Sequence, residues 1–131
     1  MEPIVTHKQE RELDARIAEK VMSEKVIWVD NKPYIATNQD GAAHSENAVP
    51  KYCTSVGAAM TVAMQIRRLG FTVDILMDER GTTLTVMTND GEEVVRFENI
   101  ISRFAQYMCH AALIAIGEER RHGEDRRKAR I

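Results

Sequence analysis

The chain has no CxxC or HExxH spacing, no phosphate-cradling glycine loop and no apolar run long enough to cross a membrane, and each absence removes a class of function. His7, His44, His110 and His122 are scattered, with only Cys53 and Cys109 between them, whereas a metal site needs ligands at close, regular spacing. No metal or other cofactor is expected. Cys53 and Cys109 read as reduced thiols rather than a staple, because the first residues lack the basic and apolar regions of a secretory signal. The expected location is therefore the cytoplasm. A net charge of −2 and a pI of about 6.1 give no global attraction to nucleic acid or anionic membranes. Any partner must be recognised by a local patch. No catalytic residue stands out either. Asp78 and Glu79 fit a turn, Asp74 fits an outward strand position facing Arg96, and a nucleophilic Cys53 would need a base that only the loop residue His44 offers.

What is present fits one domain, since 131 residues with 44% hydrophobic content can bury a core. Residues 8–22 set Leu13, Ile17 and Val21 four apart among charges, which predicts an amphipathic helix. A short hairpin is predicted from Val26-Ile27-Trp28-Val29 and Tyr34-Ile35-Ala36, split by Asp30-Asn31-Lys32-Pro33. Residues 37–51 have no apolar period and read as a long loop. A second helix, capped by Thr54 or Ser55 and stopped by Gly70, carries Val56, Ala59, Met60, Val62, Ala63, Ile66 and Leu69. Three alternating strands follow, separated by Asp78-Glu79-Arg80-Gly81 and Asn89-Asp90-Gly91, and a third apolar helix begins near Asn99.

The expected architecture is an α+β helix, sheet, helix sandwich. Its three-stranded antiparallel sheet lies in α-β-β-β-α order, with the N-terminal helix and the hairpin added. Helices two and three should cover the face formed by Phe71, Val73, Ile75, Met77, Leu84, Val86, Val95 and Phe97. The first helix should cover Leu76, Met87 and Val94 on the opposite face. The sandwich is assigned to residues 1–119 and a charged tail, helical or disordered, to 120–131. Basic residues outnumber acidic ones after Gly117 and no apolar stripe follows it, so the segment from Glu118 onward is expected to add little to the fold.

Three ordered segments carry a family resemblance. Arg11-Glu12-Leu13-Asp14-Ala15-Arg16-Ile17-Ala18-Glu19-Lys20-Val21-Met22, then Pro50-Lys51-Tyr52-Cys53-Thr54 leading into Ala58-Ala59-Met60, then Cys109-His110-Ala111-Ala112-Leu113 resemble the signature segments of the phage ABA sandwich domain family. The match spans about residues 10 to 119. It implies an α/β sandwich of bacteriophage or prophage origin and brings no established activity or catalytic residues. The chain departs from the family pattern at Ser55, where relatives tend to carry Asp, and in a long hairpin and loop over residues 26–49.

The candidate binding residues are Trp28, Tyr34, Tyr52, Arg67, Arg68 and Arg103. Trp28 and Tyr34 flank a turn beside the long loop, a common setting for the aromatic anchors of protein partners. The leading expectation is a small non-enzymatic accessory protein that binds a host or phage macromolecule, with a protein as partner and a homo-oligomer as its form. The alternative is a small-ligand protein that sequesters nucleotides against host defence, gripping base and phosphate with Tyr52, Trp28, Arg67, Arg68 and Arg103. A double-stranded nucleic-acid binder is third. The helix, three strands, helix order suits that module, but the segment Asn99-Ile100-Ile101-Ser102-Arg103 offers one cation where a phosphate-gripping cluster is required.

Overall fold

A computed structural model describes residues 7–36 and 47–119. The elements run α1 (His7–Lys20), β1 (Val26–Val29), β2 (Lys32–Ile35), α2 (Val56–Arg68), β3 (Thr72–Asp78), β4 (Gly81–Met87), β5 (Glu93–Phe97), a 3-10 turn (Ile101–Arg103) and α3 (Phe104–Ala115). They form an α+β sandwich with a two-stranded sheet, β1-β2, and a three-stranded antiparallel sheet in the order β3-β4-β5. Leu84, Val86 and Val95 are buried on one face of the larger sheet, with Val73, Ile75 and Phe97 packed beside them against α2 and α3. That face is the one the alternation of residues predicts, with Met77 as the exception at 68% exposure.

Both long helices that cover the sheet end by the same device. Gly70 and Gly117 follow α2 and α3 with φ of 103° and 84°, a region costly for any residue with a Cβ. The chain then folds back so that Phe71 N–H donates to Ile66 and Glu118 N–H to Leu113, a Schellman closure of the last turn. At the start of α2 the side chain of Ser55 accepts from Ala58 N–H. Ser55 thus supplies the cap of this helix. The third helix starts later than expected. Asn99 takes a positive φ of 56°, and the 3-10 turn intervenes before Phe104.

In the hairpin, Asp30 and Asn31 form the whole turn, both with positive φ, as a two-residue primed turn demands. Lys32 and Pro33 belong to β2 rather than to the turn. Val29 and Lys32 flank that turn as a hydrogen-bonded pair, so the next pair, Trp28 with Pro33, needs no ladder bond and the missing proline N–H costs β1 nothing.

α1 occupies a different place from the one expected. It packs on α3 and on the hairpin, and its Ile17 and Ala18, with Val21 just after its end, join Val49, Tyr52 and Cys53 in the core. Thr72, Asp74 and Arg96 stay exposed on the outer sheet face, and Leu76 is 55% exposed. Asp14 and Arg11 tie α1 to Cys53 and Val49, which carries its apolar stripe to the hairpin side of the core. Asp74 and Arg96 also do not meet, since Thr85 pairs between them and Arg96 bonds Glu93 instead at 3.2 Å.

Residues 37–46 and 120–131 lie outside the described residues. The remainder of the expected loop is structural, because Ala48 bridges to Tyr34 and Val49 is buried. The first two residues of the expected tail are fastened as well. Glu118 accepts a hydrogen bond from Arg16 at its carbonyl, and Glu119 meets His110 Nδ1 at 2.8 Å.

The layer assignment makes a paired prediction for chemical denaturation. Leu84→Ala, at the centre of the covered face, should cost about 2 to 5 kcal/mol, whereas Leu76→Ala should stay within about 0.5 kcal/mol of the parent. Equal costs at the two positions would contradict the one-sided packing.

Candidate functional site

The strongest polar constellation is interior, and it joins α1 to residues 49–53. Asp14 is wholly buried although it is charged. Its position on α1, three residues before Ile17 and four before Ala18, puts it on the apolar stripe. Its Oδ1 accepts the N–H of Cys53 at 2.8 Å, and its Oδ2 meets the Arg11 guanidinium at 2.5 Å. The same guanidinium donates to the Val49 carbonyl at 2.7 Å. The Cys53 thiol donates in turn to the Glu10 carbonyl at 3.3 Å. α1 therefore grips both ends of residues 49–53, and an ion pair takes the place of a covalent staple. Sequence reasoning missed Asp14 and Arg11, and the available signal was an aspartate on an otherwise apolar helical stripe.

The two cysteines sit in this region as buried free thiols. Burial pushes the Cys53 thiol well above its ordinary range, helped by the neighbouring Asp14 carboxylate. Burial does the same to Cys109, reinforced by Cys53 and Asp14. A thiolate is the nucleophilic form, so this environment suppresses the reactivity that catalysis by Cys53 would require. His44, its suggested base, lies outside the described residues. Among the described residues no cluster of His, Cys, Asp or Glu could hold a metal ion.

Of the six expected binding residues, the structure brings together fewer than the sequence suggested. Tyr52 is a core residue, and burial, with Glu24, Asp14 and Cys109 nearby, raises its phenol pKa. Trp28 is 48% exposed. Tyr34 is half-buried and pairs across the hairpin with Ile27, while Trp28 pairs with Pro33. Because side chains alternate along a strand, the two rings project from opposite faces of the hairpin. They cannot form one aromatic clamp.

The arginines are separated too. Arg67 and Arg68 end α2 next to the Thr72 end of β3, where Thr72 pairs with Met87. Arg103 follows Ile100, whose N–H bonds Thr82 at the opposite end of the sheet. The length of a strand lies between them, about 20 Å, which is too far for one phosphate. No helix of the described residues is long and apolar enough to cross a membrane.

Comparison with family models, with curated proteins and with solved structures found no match. The hairpin exposes Trp28 and Val29 on its β1 strand. One side of it is braced by α1, and its second strand is tied to Ala48 and Val49.

Two measurements test the interior cluster. Asp14→Ala leaves Arg11 Nη1 and the Cys53 N–H without their acceptor and should cost about 3 kcal/mol, with Asp14→Asn costing less because it retains an acceptor. Stability should also depend on pH on the alkaline side. The thiol pKa values are raised by folding, so their contribution is complete below the ordinary thiol value of 9.0 and is lost as pH climbs above it, when the unfolded chain ionises first. A urea midpoint that does not fall above that pH would mean that the thiols are not protected.

Proposed function

We propose that this protein is a non-enzymatic phage or prophage accessory protein of the host cytoplasm that binds a protein partner through the β1-β2 hairpin, with Trp28 as the anchor. One observation carries the reading: the only tryptophan of the chain is 48% exposed on a hairpin braced by the body behind it. Large aromatic rings on rigid supports dominate the energetics of protein interfaces. The phage assignment rests on the resemblance of the α1, 50–60 and Cys109-His110-Ala111-Ala112-Leu113 segments alone. Nucleotide sequestration and duplex binding draw less support, because Arg67 and Arg68 stand far from Arg103 and Tyr52 faces the interior.

The test separates the two aromatic rings. Trp28→Ala should weaken capture of the partner from host lysate by at least about thirtyfold with an unchanged circular dichroism spectrum, and Tyr34→Ala should affect stability more than capture. The fluorescence of Trp28 should change on addition of the captured partner. Undiminished capture by Trp28→Ala would remove the hairpin from the interface, and unfolding of that variant would make Trp28 a structural residue.

A further inference from the structure

The outer edge of the larger sheet offers a second recognition surface, remote in chemistry from the hairpin. β3 is an edge strand seven residues long. Asp78 and Gly81 flank the two-residue turn that joins it to β4, and are therefore a hydrogen-bonded pair. Counting back, the even-numbered residues of β3 exchange their backbone bonds with β4. Val73, Ile75 and Met77 consequently aim their N–H and C=O groups outward, and among the described residues no strand meets them. Leu76 and Met77, near the end of that edge, are 55% and 68% exposed. A long edge with exposed apolar side chains is a template for another strand.

The charges of β3 select what that strand can be. A two-fold axis perpendicular to the sheet keeps each residue opposite one of the same face, so the self-pairing registers centre on a single residue. Centring on Asp74 opposes that carboxylate to itself, and centring on Leu76 opposes Asp74 to Asp78. Centring on Ile75 pairs all seven residues, sets Asp74 against Leu76 and Val73 against Met77, and puts Asp78 opposite Thr72. Like charges directly opposite are unfavourable in a sheet, whereas this register has none. The same axis leaves both copies of α2 on one side of the joint sheet, each with an exposed row of Val56, Met60 and Met64 at four-residue spacing.

We infer that β3 pairs antiparallel with β3 of a second copy about Ile75, giving a dimer with a continuous six-stranded sheet. In that register Asp74 and Leu76 form a non-hydrogen-bonded pair, the close kind, across the two-fold axis.

Sedimentation equilibrium of the full chain at micromolar concentration should give twice the 14.9 kDa chain mass. Leu76→Asp opposes two carboxylates on each side of the axis and should weaken association about tenfold or more, whereas Leu76→Lys faces Asp74 and should retain the dimer. The double variant Asp74→Cys with Leu76→Cys should form a covalent dimer on mild oxidation, independently of how the charge variants fold, while the buried native thiols stay unreacted. A monomeric parent protein would overturn the inference. So would equal behaviour of the Asp and Lys variants, or a double cysteine variant that stays uncrosslinked.

Discussion

A single buried carboxylate organises the interior of this protein. Asp14 accepts from the backbone of Cys53 and pairs with Arg11, which reaches on to the carbonyl of Val49. A charge in the interior is tolerated only when its hydrogen-bonding capacity is met, and here the partners come from segments about forty residues apart in the chain. Meeting that demand fixes the 49–53 segment against α1, which in turn seats Tyr52 and Cys53 beside Cys109 of α3. The position of α1 follows from this. Held to residues 49–53 and to the hairpin, it is not available to cover the outer face of the larger sheet.

That commitment has consequences at the surface. α2 and α3 saturate one face of the sheet, and the side chains left over, Leu76 and Met77 on β3 and Val56, Met60 and Met64 on α2, remain in water. Isolated apolar side chains at a surface are ordinary, but here Leu76 and Met77 lie on an edge strand whose outer side no other strand among the described residues pairs with. The hairpin at the other side of the core is a second, separate exposure.

Much of the fold was legible from periodicity. The four-residue spacing in α1, the alternation in β3, β4 and β5, the Ser55 cap and the stop at Gly70 each depend on neighbours in sequence, so local chemistry carries them. The face assignment for Leu84, Val86 and Val95 was equally accessible, because alternation along a strand leaves no freedom once one residue is placed. Less of the candidate site could be read. Trp28 and Tyr34 looked like one aromatic pair until the register placed Pro33 opposite Trp28 and sent the rings to opposite faces. Arg67, Arg68 and Arg103 looked like one basic group until the strand length between them was known. Tyr52 looked available until the core closed over it.

The sequence by itself determined the main helices and strands, their order and most of the apolar face of the larger sheet, because these follow from side-chain periodicity and from residues such as Gly70 that accept a positive φ. Only the tertiary structure decided which apolar face met which. α1 went to α3 and the hairpin, Val49 left an apparent loop for the core, Tyr52 left the expected binding set for the core, and Asp14 became an interior ion-pair partner. Those outcomes depend on competition between surfaces distant in the chain for the same partner, and on the pairing of a buried charge with groups that no local pattern identifies.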